Sequence, residues 1–157
     1  MSRVNSQFYT LIVKVTFHLH QKLFRTLGKK IIYSYKDFSI ELPAGHNLPL
    51  FQKLHPQYDN FLPMLVRHIP GSSCVVDVGA NVGDTLAGMV EENSSLQYIC
   101  IEADESFYHL LIKNIRRIKT SNKNLKVDTF HNFVGNTLTN VKLGERMVQS
   151  MLFKPPA

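Results

Sequence analysis

One stretch decides most of what this chain can fold into. It reads Cys74-Val75-Val76-Asp77-Val78-Gly79-Ala80-Asn81-Val82-Gly83-Asp84-Thr85, then a helix-like segment, then Tyr98-Ile99-Cys100-Ile101-Glu102-Ala103-Asp104. Val75, Val76 and Val78 form an apolar run of strand length, expected to be buried on both faces. The run stops at Gly79, and a helix pattern follows. Gly79 and Gly83 therefore fall in a strand-to-helix turn, where glycine permits unusual dihedrals and close approach of a ligand to the backbone. The second run ends in Glu102. Strand, glycine turn, helix, strand, acid is the opening βαβ unit of a nucleotide-type α/β fold. An acid ~20 residues beyond the turn suits a pair of ribose hydroxyls.

The turn is not the dinucleotide fingerprint, since the glycines are spaced Gly-x-x-x-Gly with Asn81 at the middle. It is not a phosphate-cradling P-loop either, because no Gly-Lys-Ser/Thr follows. Asp77 precedes the turn and Asp84 follows it. Carboxylates beside a helix N-terminus oppose the pyrophosphate that the helix dipole would attract. They tolerate a ligand carrying positive charge. S-adenosyl-L-methionine has a sulfonium, an ammonium and a ribose but no phosphate, and it is preferred to NAD on that sign argument.

The same residues carry a family resemblance. Asp77-Val78-Gly79-Ala80-Asn81-Val82-Gly83-Asp84-Thr85 resembles the first motif of class I S-adenosylmethionine-dependent methyltransferases, in the form used by the FkbM family. Ile101-Glu102-Ala103-Asp104 resembles that family's second motif, and Phe133-Val134-Gly135-Asn136 the segment after its third strand. Leu42-Pro43-Ala44-Gly45-His46 and Tyr58-Asp59-Asn60-Phe61-Leu62-Pro63 are similar to its lead-in. The resemblance implies an α/β fold: a Rossmann-like methyltransferase sheet, preceded here by an N-terminal helix and a β-hairpin. It implies that Asp77, Gly79, Asn81 and Gly83 line the methionine end of the cofactor, with Ala80, Asp84 and Thr85 also among its binding residues. Glu102 would take the ribose hydroxyls, Ala103 and Asp104 would lie beside the adenosine, and Val134 and Asn136 would flank the adenine. The implied reaction is methyl transfer to a hydroxyl of a sugar, lipid or small metabolite. No general base is identified.

The sheet of that class continues well beyond the strands legible here. Leu143-Gly144-Glu145-Arg146 followed by Ser150-Met151-Leu152 resembles family sequence with material deleted between. The expectation is an incomplete sheet with an open strand edge that a protein partner could cover. Three readings therefore stand: a methyltransferase, a non-catalytic remnant that binds cofactor weakly or pairs with another chain, and a nucleotide-binding module.

Composition bounds the rest. The 157 residues suffice for a real core, and 44% hydrophobic with 19% charged residues marks a folded chain. The net charge of +6 is uneven. Residues 1–36 hold seven of the basic residues and no acid, whereas the remainder has eleven Lys/Arg against twelve Asp/Glu. The excess belongs to an arm, which argues against a nucleic-acid-binding domain. Cys74 and Cys100 both fall in expected strands and read as small buried hydrophobes in a reducing, cytoplasmic setting. The histidines show no ligand spacing, so no metal site is expected.

In chain order, Phe8, Ile12, Val15, Leu19, Leu23 and Leu27 recur at three- and four-residue steps. They predict a basic amphipathic helix over residues 1–30, too interrupted to span a bilayer. It either lies on an anionic membrane or carrier or packs on its own domain. Residues 31–70 are expected as a hairpin (31–35 and 38–42) and a lead-in helix with Phe61, Leu62, Leu65 and Ile69 inward. The Rossmann-like domain would fill 71–157. Its helices are expected at 85–92 and from Asp104, as N-cap, to about 118, and its third strand at 125–134. Arg116, Arg117 and Lys119 read as a solvated helix end. A fourth strand is expected near 147–153.

Overall fold

The computed structural model describes residues 3–27, 30–54, 60–135, 140–143 and 146–152. Strands β1 (Ile31–Ser34) and β2 (Ser39–Leu42) form the expected antiparallel hairpin, with Ile31 opposite Leu42 and Ser34 opposite Ser39. Tyr35 N–H donates to the Phe38 carbonyl at 2.8 Å and closes it. Ile40 and Leu42 are fully buried, so one face of β2 enters the core.

Three parallel strands follow: β3 (Cys74–Val78), β4 (Gln97–Ile101) and β5 (Lys126–Phe130), in the order β3-β4-β5. Their crossovers are α4 (Asp84–Glu92) and α5 (Glu105–Ser121), numbered after α1 (Arg3–Thr26), α2 (Leu48–Leu54) and α3 (Phe61–Val66). A right-handed crossover sends its helix to a fixed side of the sheet. Two successive crossovers stepping in the same direction therefore put both helices on one face. Leu86, Ala87 and Val90 of α4, Leu111, Ile115 and Ile118 of α5, and Tyr98 and Cys100 of the sheet share one core with Ile40 and Leu42 of the hairpin.

The expectation that β3 is buried on both faces is thereby corrected. Val76 is 37% and Val78 59% exposed, and Cys74 is exposed as well. Only Val75 and Asp77 turn toward the helices. Among the described residues β3 pairs with β4 alone, so its other edge is open.

The lead-in helix also turns differently. Pro63 and Val66 are its buried residues, whereas Phe61, Leu62, Met64 and Leu65 are exposed. The reason is a close approach to α4. A Cβ on Gly88 would come within 2.9 Å of Pro63 Cγ, so the two helices meet where Gly88 has no side chain. Asn93 Nδ2 donates to the Val66 carbonyl at 3.1 Å and ties down the end of α3. The Asn93 side chain thus has a structural role.

The third strand divides. Past β5 the chain passes His131 and Asn132 into β6 (Phe133–Gly135), which joins β8 (Arg146–Leu152) and β7 (Asn140–Leu143) in a second sheet of order β6-β8-β7. The expected fourth strand is thus β8, outside the first sheet.

Arg117 is not a solvated helix end. Its Nε donates to the Ser39 carbonyl at 3.0 Å and its Nη2 to Ser39 Oγ at 2.9 Å, fastening α5 to the hairpin. Among the described residues, no helix is long and apolar enough to cross a membrane.

Candidate ligand site at the glycine turn

At the end of β3 the chain folds over the end of β4. Gly79 N–H and Ala80 N–H both donate to the Ile101 carbonyl, at 2.8 and 3.0 Å. Three residues of the turn have positive φ: Gly79 (82°), Asn81 (49°) and Gly83 (85°). Asparagine is among the few side chains that accept this region at small cost. Gly83 is required twice, since a Cβ there would also meet Leu111 Cδ1 at 2.8 Å. Gly79 is different. A Cβ there would meet nothing within 4 Å, so open space lies over it.

Glu102 is 8% exposed and holds the turn from below. Its Oε2 accepts from Asn81 N–H at 2.8 Å and its Oε1 from Asp104 N–H at 2.7 Å. It is a buried brace rather than a solvated strand end. A carboxylate has about four acceptor directions, so these two bonds leave room for others. Asp104 caps α5, its Oδ1 accepting from Ser106 N–H at 2.9 Å and Phe107 N–H at 3.0 Å. The N-cap expectation thus agrees with the structure.

Asp77 points from β3 toward the covered face. Its Oδ2 is buried without a hydrogen-bond partner, and so is Asn81 Oδ1. Burial, then the charges of Asp84 and Glu102, push the Asp77 carboxyl up to about 6. Burial and the neighbouring Asp77 raise the Cys100 thiol to about 12, so it stays protonated. Two orphaned acceptors and three carboxylates make a region short of donors and of positive charge. A buried polar atom without a partner costs about 1–3 kcal/mol. A ligand bringing N–H donors or a cation would recover that cost.

Asp84 sits in the first turn of α4, where an acid complements the helix dipole. His46 Nε2 lies 3.8 Å from its Oδ2, and Tyr35 donates its hydroxyl to the Asp84 carbonyl at 3.0 Å. Asp84 and Thr85 also line a cleft of about 230 Å³ with Tyr33, Lys36, Gln52 and Glu91. The cleft does not include Asp77, Gly79 or Glu102.

On the other side of Glu102, the Ala103 carbonyl accepts from His131 Nε2 at 3.0 Å. His131 stacks on Tyr108, with ring centroids 4.8 Å apart. Neither ring was singled out from sequence. The available signal was position: His131 directly follows the third strand, at the same carboxyl end of the sheet as Gly79 and Glu102. Val134 is half-buried in β6, and Asn136 lies outside the described residues. His55 lies outside them too, and among the described residues no cluster of His, Cys, Asp and Glu could hold a metal.

Asn114 was also missed as a structural residue. It is fully buried on α5. Its Nδ2 donates to the Glu41 and Val82 carbonyls at 2.9 and 2.8 Å, and its Oδ1 accepts from Glu41 N–H at 2.8 Å. One amide thus joins hairpin, helix and glycine turn. Burial alone would raise the Glu41 carboxyl, but hydrogen bonds from Lys113 and Lys30 outweigh it and hold the group below its ordinary range.

No protein-family profile matches the chain, and no curated protein matches it. Solved structures with similar parts include methyltransferase FkbM from Methylobacillus flagellatus KT. It is 21% identical at a TM-score of 0.46, over 53% of this chain and 22% of that one. A SAM-dependent methyltransferase from Agrobacterium tumefaciens is 9% identical at a TM-score of 0.48, over 66% and 32%. A Plasmodium falciparum structure with S-adenosyl-L-homocysteine, named as a protein-L-isoaspartate O-methyltransferase, is 22% identical at 0.35, over 67% and 45%. This chain spans less than half the length of each.

Proposed function

We propose that the glycine turn binds S-adenosyl-L-methionine and that the chain is a methyltransferase of the FkbM type that its motifs resemble. The observation that carries this is the pair of buried, unpartnered acceptors, Asp77 Oδ2 and Asn81 Oδ1. They suit the ammonium and sulfonium end of that cofactor and oppose a pyrophosphate. The open space over Gly79 lets a ligand lie against the backbone. Glu102 would accept the ribose hydroxyls with its remaining lone pairs. Ala103 and Asp104 would lie beside the adenosine, with the His131–Tyr108 stack close by and Val134 and Asn136 flanking the adenine.

When bound, the cofactor supplies an electrophilic methyl group. Asp77, Asn81 and Glu102 would hold the cofactor, and the chemistry it would supply is methylation of an acceptor hydroxyl, with the thioether as leaving group and the hydroxyl proton released to solvent. The chain's part would be to position the two reactants. The acceptor, a hydroxyl of a sugar, lipid or small metabolite, would enter through the cleft that shares Asp84 and Thr85 with the turn.

A second reading is a non-catalytic chain that binds cofactor weakly or pairs with another protein. The exposed Val76 and Val78 and the open β3 edge favour it.

Calorimetric titration with S-adenosyl-L-homocysteine tests the cofactor reading. Micromolar binding, about −8 kcal/mol, is expected, at least tenfold weaker in Asp77→Asn with melting retained. A cooperatively melting chain that gives no heat, or that binds NAD equally well, would reject it. Binding without methylation of any hydroxyl acceptor would favour the second reading.

A further inference from the structure

Helix α1 carries four basic residues and no acid. It lies against α2, and Val13, 6% exposed, is on its seated side. The apolar stripe faces elsewhere. Leu11, Ile12, Val15, Leu19, Leu23 and Leu27 are each 46 to 64% exposed. At 100° per residue, Ile12, Val15, Leu19 and Leu23 fall within one quadrant, roughly a third of a turn from Val13. The helix thus has one apolar side that packs and a second that has no cover among the described residues. Lys22 is exposed at the edge of that quadrant, and Lys14 is exposed about 80° farther round the helix.

The stripe does not fit a second copy of the same helix. A coiled-coil seam alternates three- and four-residue steps. Continued from Ile12, Val15 and Leu19, that alternation lands on Lys22 and Thr26, not on Leu23 and Leu27. Two such helices side by side would also set lysine against lysine with no carboxylate between them. Although 24 residues long, α1 is not apolar enough to cross a bilayer. What remains is an apolar strip whose polar margins carry only positive charge. An anionic lipid surface is complementary to both parts: acyl chains to the leucines, headgroups to the lysines, whose stems extend past the apolar strip.

We infer that α1 is an interfacial helix that seats this chain on membranes bearing acidic phospholipids. The inference is independent of methyl transfer. It would place the glycine turn near a two-dimensional surface.

Vesicle co-sedimentation of the full chain tests it. Binding is expected to vesicles with about one-third phosphatidylserine, to be weak with phosphatidylcholine alone, and to fall as salt rises. Leu19→Glu with Leu23→Glu should weaken binding more than tenfold at an unchanged melting temperature, since both positions are exposed. Lys14→Gln with Lys22→Gln should weaken it about thirtyfold, at ~1 kcal/mol per basic residue near the surface. Three outcomes would overturn the inference: no binding to anionic vesicles, equal binding to both vesicle types, or a leucine variant that still binds. Sedimentation velocity adds a fourth. An oligomer without lipid that the leucine variant converts to monomer would make this face a protein contact.

Discussion

The two faces of the β3-β4-β5 sheet are built from the same strands and behave as different materials. On one face, Val75, Tyr98, Cys100 and Val127 meet α4, α5 and the hairpin, and Tyr98 and Cys100 have no exposed surface. On the other, Val76, Val78 and Phe130 are 37 to 59% exposed, and Lys126 and Asp128 are exposed beside Phe130. Alternate residues of one valine-rich strand thus have opposite fates. Hydrophobic identity marks a residue as suited to burial, whereas crossover direction decides which face is covered. With both crossovers stepping the same way, α4 and α5 cover one face, and Val76 and Val78 of the other stay exposed.

The sharpest way to break that comparison is to truncate one residue from each face. Tyr98→Ala removes a fully buried ring whose hydroxyl donates to the Asn93 carbonyl at 2.6 Å. It should cost about 3–5 kcal/mol in denaturant unfolding. Val78→Ala on the open face should stay within about 0.5 kcal/mol. A cost of about 1–3 kcal/mol at Val78 would mean that another chain covers this face in solution.

A smaller effect follows from Asp77, a titratable side chain on the covered face. Its carboxyl is raised from 3.8 to about 6, so the folded state disfavours the ionised form. Between about pH 4 and 6 the native chain holds a proton that the unfolded chain has lost, so stability falls as pH rises. The contribution is about 3 kcal/mol, fully felt above pH 6. Asp77→Asn should flatten stability across this window. A profile that rises from pH 4 to 6 and is unchanged in Asp77→Asn would mean that Asp77 is not strained by its surroundings. Binding of a cationic ligand has the opposite sign: it favours the carboxylate and should strengthen as pH rises through 6.

The smallest effect leaves stability untouched. Cys74 lies exposed on the open face, and Cys100 is buried with its thiol raised to about 12. A thiol-specific chromogenic reagent at neutral pH should therefore titrate one group rapidly in the native chain and two after denaturation. No rapid thiol would again point to a covered face.

Much of this was legible in advance because it is local. The βαβ order, the helix at Asp84–Glu92 and the Asp104 cap are written within a few residues of where they act. Other features were legible only as positions. Phe61, Leu62 and Leu65 read as an inward face, but Gly88 lets Pro63 approach α4 most closely, and that turned α3 the other way. The third strand read as one run, yet His131 turns toward Ala103 and the run divides there.

At the candidate site the same division holds. A turn of positive φ between a strand and a helix follows from local residues, because Gly79, Asn81 and Gly83 tolerate that backbone where branched residues do not. Local sequence also set Glu102 at the end of the neighbouring strand. Tertiary structure alone decided what those groups do. Glu102 reaches across 21 residues to Asn81, and Asn114 across 73 to Glu41, while Asp77 Oδ2 and Asn81 Oδ1 meet no donor. A hydrogen bond forms or fails according to where distant backbone comes to rest. No local pattern of residues carries that information.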